Sequence, residues 1–133
     1  MSYANILSGL QTRLQTLTGL TNVLLYEPAS IDDTPMAYVF LDNAEIEQGG
    51  QVVTALYAIT VRVIVRWQEN DQAEAQIAPY ADSVVDAIRA DPSLGSQANS
   101  ARVTAIEGGF LDTGNGIRFR VMDFTVRVKD LRT

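Results

Sequence analysis

The chain has 133 residues, 47% of them hydrophobic and 20% charged, with no histidine, no cysteine and a formal net charge of −6. That length suits one domain, residues 1–133, able to bury roughly two thirds of its unfolded surface. The missing residue types exclude disulfides, thiolate chemistry, the usual base near neutral pH and the commonest transition-metal ligand.

The acidic balance argues against a specific nucleic-acid partner, which would need a basic patch. No apolar run reaches the ~18 residues of a membrane helix. The start, MSYANIL, has no basic region and no cleavage pattern, so neither a membrane partner nor a secretion signal is expected.

In chain order, Ile6, Leu7, Leu10, Leu14 and Leu17 recur at helical spacing and predict an amphipathic helix over residues 3–18, ended by Gly19. Val23 to Tyr26 reads as a short strand stopped by Pro28. The stretch EPASIDDTP, residues 27–35, is a loop carrying the Asp32–Asp33 pair.

The stretch LYAITVRVIVRW runs from Leu56 to Trp67. Its odd positions are uniformly apolar. Its even positions begin bland and end with Arg62 and Arg66, so one face of a strand turns basic and calls for an acidic neighbour. Met36–Glu47 and Val52–Trp67 form a hairpin about Gly49–Gly50. A two-residue turn there puts Phe40 opposite Ile59, Tyr38 opposite Val61 and Ile46 opposite Val53. Such a hairpin is long by the usual measure of strands, and its tip is expected to project as an arm.

Asn70 or Asp71 caps a second helix running to about Ala90. Ala73, Ile77, Tyr80, Ala81, Val84, Val85 and Ile88 form its buried stripe, with Asp82 and Asp86 facing solvent. Asp91–Pro92 ends it and opens a loop to Ser100. Ala101–Asp112 and Ile117–Leu131 make a second hairpin about Asn115–Gly116, pairing Val103 with Val128, Ala105 with Val126 and Phe110 with Val121. The apolar parity changes between the last two pairs, so a bulge is expected at Gly108–Gly109. The fold class is therefore α+β: a mainly antiparallel sheet built from two long hairpins, with two helices packed on it.

Candidate chemistry is sparse. FLDTG, residues 110–114, resembles the turn of dimeric aspartic proteases, but the rest of the chain beyond it lacks their flap and supporting glycine segment, and a hairpin turn explains it. Asp42, Glu45 and Glu47 lack metal-loop spacing, and strand alternation separates Asp42 from the two glutamates. GNG, residues 114–116, opens no helix and cradles no phosphate. No catalytic residue, metal or cofactor is expected, and the chain is read as a non-enzyme.

Charge is spread unevenly. Arg13 is the only basic residue before Arg62, while Glu27, Asp32, Asp33, Asp42, Glu45 and Glu47 lie in that stretch; Arg118, Arg120, Arg127, Lys129 and Arg132 crowd the end. The residues expected at contacts with other subunits are Glu45, Glu47, Gly49, Gly50, Arg62, Arg66, Glu69, Asp71, Arg118 and Arg120. Arg62 and Arg66 would meet Glu45, Glu47 or the Glu69–Asp71 turn of an adjacent copy, or an acidic group of their own chain.

The order helix, short strand, TPMAYVFLD, a strand ending VIVRW, the helix QAEAQIAPYADSVVDAIRA and then GIRFRVMDFTVRV resembles the tail terminator proteins of long-tailed bacteriophages, also called tail completion or tail-to-head joining proteins. The resemblance spans Pro35 to Val128. It implies a small α+β virion protein, assembled in the host cytoplasm, whose homo-oligomeric ring, usually a hexamer, caps the finished tail tube. Its implied partners are the tail tube protein and the head–tail connector. No residues of chemistry carry over. Another neck or tube component of the same virion, or a non-viral protein-binding module, is the alternative.

Overall fold

Alternation along residues 52–66 places a strand at the centre of the molecule, because every second side chain there is apolar and needs cover. The computed structural model describes residues 3–20, 22–31, 34–67, 70–113 and 116–132. It contains helices α1 (Tyr3–Leu14), α2 (Asn70–Ile77) and α3 (Pro79–Ala90), and strands β1 (Asn22–Leu24), β2 (Met36–Gly49), β3 (Val52–Arg66), β4 (Ser100–Asp112) and β5 (Arg118–Arg132). The strands form one sheet in the order β1-β2-β3-β5-β4, antiparallel except for β1 beside β2. This is the expected α+β architecture of two long hairpins with helices packed on one side.

The helices cover one face of the sheet, the closed face. Tyr57, Ile59, Val61, Val63 and Val65 of β3 pack there with Ala37 and Val39 of β2 and Phe124, Val126 and Val128 of β5. Ile6, Leu10 and Leu14 of α1, and Ile77, Tyr80, Val84 and Ile88 of the second helical segment, close over them. The predicted stripes therefore mark the buried faces, although Ala81 and Val85 are only half-buried and Ala87 joins the core. Gly9 lets the helix approach the loop at Leu94, since a Cβ there would run into the Leu94 carbonyl oxygen.

Several boundaries differ from the sequence reading. The first helix ends at Leu14 rather than residue 18. Thr16 and Leu17 donate backbone bonds three residues back, and the Thr16 hydroxyl donates to the Arg13 carbonyl at 2.6 Å, so the chain tightens out of the α-helix. The short strand stops at Leu24, leaving Tyr26 exposed. The second helix is two helices, because Pro79 cannot donate to the previous turn and instead starts α3 at its first position.

The first hairpin turns at Gly50–Gln51, one residue later than expected, since Gly50 adopts φ +65° and Gly49 still pairs with Val52. A bulge between Leu41 and Asn43 then shifts the register again, so Phe40 pairs with Thr60 and Tyr38 with Arg62, rather than with Ile59 and Val61. Ile46 likewise pairs with Ala55, not Val53. In the second hairpin the parity change is real but its bulge lies between Val103 and Ala105. Val103 pairs with Val126, Ala105 with Thr125 and Phe110 with Arg120. Gly108 serves another purpose: a Cβ there would come within 3.0 Å of the Arg120 guanidinium nitrogens, which lie across the strand. The turn is longer than two residues, closed by Thr113 N–H donating to the Ile117 carbonyl, with Gly116 at φ +75°; Asn115 lies outside the described residues.

Candidate interaction surface

The opposite, open face of the sheet carries no helix among the described residues, and its character changes along the strands. At one end Met36, Tyr38, Ile64, Phe119 and Val121 form a second small apolar cluster with Leu24 and Ile31 beside it. In the middle lies a charged group. Arg62 donates to both carboxylate oxygens of Asp123, at 2.8 and 2.9 Å, and to the Tyr38 hydroxyl at 2.8 Å. Its guanidinium carbon sits 5.6 Å from the Phe40 ring centroid and 5.7 Å from that of Tyr38. The hydrogen bond to Asp123 outweighs the desolvation and raises the Arg62 pKa above its already high ordinary value. The arginine that the sequence singled out thus finds its acid within the chain, on the neighbouring strand.

Farther along, the open face is basic. Arg102 lies directly opposite Arg127 across β4 and β5, and Lys129 projects from the same side of β5. All three are exposed or nearly so at the surface of a groove of about 350 Å³, which they line with Asn43, Glu45 and Leu56. Like charges placed directly opposite on adjacent strands are unfavourable. Among the described residues, the ion pairs are Arg62–Asp123, Arg118–Asp112 and Arg120–Glu74, and none involves these three cations.

The arm of the first hairpin borders this groove. Every residue of β2 from Leu41 to Gly49 is exposed, with Ile46 at 62%. β1 pairs only with Met36–Tyr38, so beyond that point no described strand lies on the outer edge of β2. The arm is not a free two-stranded ribbon, because β5 flanks β3 as far as Val53–Arg132. The bulge also brings Asp42, which accepts the Thr60 hydroxyl at 2.6 Å, to the same open face as Glu45, opposite Leu56. Simple alternation sets those two carboxylates apart. Among the described residues no three acidic side chains gather as a metal-binding group.

A third feature stands at the other end of the closed face. Phe110, 45% exposed, meets Trp67 edge-on at 5.1 Å between ring centroids. The Arg118 and Arg120 guanidinium carbons lie 4.0 and 4.9 Å from the Phe110 ring centre. Arg120 is held by Glu74 and by the Gly109 carbonyl at 2.8 Å, and Arg118 by Asp112 at 3.4 Å. Asp112, the aspartate of FLDTG, is therefore an exposed strand end beside an arginine.

The residues named from the sequence thus fall in three places. Glu45, Glu47, Gly49 and Gly50 share the arm, Arg62 and Arg66 lie along the open face, and Arg118 and Arg120 stand at the aromatic end. Asp71 is the second residue of α2, and Glu69 lies outside the described residues. Sequence reasoning missed Arg102, Arg127 and Lys129 as a group. The signal was present in VRVK, where charge alternates with buried valine, but Arg102 joins it only through strand pairing.

The fold has a known counterpart. A chain from the virion of a native gene transfer agent particle matches this fold with a TM-score of 0.51. The two are 17% identical, and the match covers 96% of this chain and 98% of that one. That likeness establishes the fold. No family model matches the chain, and comparison with curated proteins finds no match. Among the described residues no helix is long and apolar enough to cross a membrane.

Proposed function

We propose that this protein is a structural component of a phage-like virion, a terminator whose ring caps the completed tail tube and provides the joint to the head connector. The observation that carries the reading is the end-to-end fold match to a virion chain, with almost nothing left over on either side. The element order and texture from Pro35 to Val128 narrow it to the terminator role by resemblance. The surface supports it too. Among the described residues both outermost strands have unpaired edges, the arm is exposed, and acidic and basic groups occupy different parts of one face, as suits head-to-tail packing that closes into a ring. On this reading the protein is non-catalytic, needs no cofactor and works as a homo-oligomer, expected to be a hexamer, at the head–tail junction.

Negative-stain electron microscopy of the purified protein, alone and mixed with tail tubes of its own particle, tests this. Closed rings that seat on tube ends are expected. Rings that ignore the tubes and bind the connector instead would move the protein to another neck position, and failure to bind either would count against a tail role.

A further inference from the structure

We infer that the cluster of Arg102, Arg127 and Lys129 on the open face receives the acidic arm, Glu45 and Glu47, of a second copy of this chain. The inference rests on the proposed ring and adds the residues that make the subunit contact. Three observations meet in it.

The cluster is uncompensated. Arg118, Arg120 and Arg62 each have a carboxylate of their own chain, whereas Arg102, Arg127 and Lys129 take part in no ion pair among the described residues. Arg102 and Arg127 nonetheless face each other directly across two strands, in a protein whose net charge is −6. An arrangement that repels itself is relieved when a carboxylate is placed between its members.

The carboxylates available are equally uncompensated. Glu45 and Glu47 are exposed and in no ion pair among the described residues. Glu45 shares the groove with the cations but sits two strands away from Lys129, with Leu56 between them. Their backbones are two strand spacings, about 10 Å, apart, and no ion pair joins them among the described residues. Glu47 lies farther out on the arm.

The geometry suits a neighbour. Glu45 and Glu47 are two residues apart on one strand, and so are Arg127 and Lys129. Each pair therefore spans about 7 Å on one face of a sheet. The arm's outer edge and the outer edge of β4 are both unpaired among the described residues, so an arm laid along β4 of another copy brings its glutamates beside Arg102 and, one strand in, Arg127. Donor and acceptor surfaces lie on opposite edges of one chain, which makes the contact head-to-tail.

Two charge-reversed proteins test it: Arg127→Glu with Lys129→Glu, and Glu45→Lys with Glu47→Lys. Circular dichroism checks folding, and Arg127→Gln with Lys129→Gln replaces the first if it fails to fold. Sedimentation velocity of the wild type should show association that weakens between about 0.05 M and about 0.5 M salt. Each reversed protein alone should associate at least about tenfold more weakly. An equimolar mixture should recover, because every contact in an alternating ring then joins opposite charges. Reversed proteins that assemble like the wild type overturn this contact while leaving the ring reading intact. A wild type that stays monomeric at every concentration overturns both. Duplex DNA binding that is lost on reversing Arg127 and Lys129, with self-association unchanged, overturns the contact in favour of a nucleic-acid site.

Discussion

The two faces of the sheet are made by the same strands yet obey different rules. On the closed face β3 presents Tyr57, Ile59, Val61, Val63 and Val65, all buried and none carrying a charge. On the open face the same strand presents Thr60, Arg62, Ile64 and Arg66, which range from fully buried Ile64 to exposed Arg66. The closed face is held by apolar burial, which is non-directional and tolerates small shifts. Along its middle the open face is held by matched polar groups, such as Arg62 with Asp123 and Tyr38, which act only at the right register. Where no match exists, as at Arg102 and Arg127, the surface has charge left to offer a partner. The difference teaches that alternation identifies which side chains share a face, while unmatched charge remains on the face that the helices leave bare.

The contrast can be broken most heavily from the closed side. Phe124 is fully buried at the centre of that core, and Phe124→Ala should cost about 3–5 kcal/mol in denaturant unfolding. A loss below about 1 kcal/mol would mean that the helices do not pack on the sheet as described.

The next largest effect belongs to a charged pair on the open face that is mostly shielded. Arg62 and Asp123 are 24% and 25% exposed. Arg62→Ala should cost about 2 kcal/mol, chiefly by leaving Asp123 and the Tyr38 hydroxyl without their donor. Arg62→Leu combined with Asp123→Leu should recover much of that loss, because no carboxylate is then stranded and only the Tyr38 hydroxyl lacks its donor. Equal losses from the single and double variants, measured by chemical denaturation, would show that the pair contributes packing rather than charge.

Arg127→Ala should leave stability within about 0.5 kcal/mol of the wild type, since its side chain is exposed and in no ion pair among the described residues. A gain is the informative deviation, as it would measure the repulsion with Arg102 directly.

The smallest effects come with pH. Burial raises the pKa of Tyr3 and Tyr80 above the ordinary value of 10.0, so their contribution is intact below that pH and declines as the pH rises through their folded values. Asp91 is lowered from 3.8 by the Ser93 hydroxyl and then by the Gly95 amide, so its contribution is present above that pH and lost as the pH falls through its folded value. With no histidine in the chain, thermal midpoints should vary little between these limits. A step near pH 6.5, the ordinary histidine value, would contradict that expectation.

Sequence alone determined the order of the elements and most of each buried stripe, though not the break at Pro79 that divides the second helix. Local spacing suffices for that, because a helix or strand repeats its contacts every few residues and Ile6, Leu10 and Leu14, or Ile59, Val61 and Val63, reveal the period directly. It also located both hairpins, through the glycines of their turns. What only the tertiary structure decided was register. One residue of slip at Gly50 and one bulge at Asp42 exchanged the partners of Tyr38 and Phe40, and another bulge at Thr104 rather than at Gly108–Gly109 set which side of β4 each residue faces. Those choices depend on burying the apolar side chains of the entire sheet at once, so no single segment encodes them. The same holds for the candidate contact surface. Arg62 found Asp123 sixty-one positions away, and Arg102 came to face Arg127, because β3, β5 and β4 are neighbours in space and not in sequence.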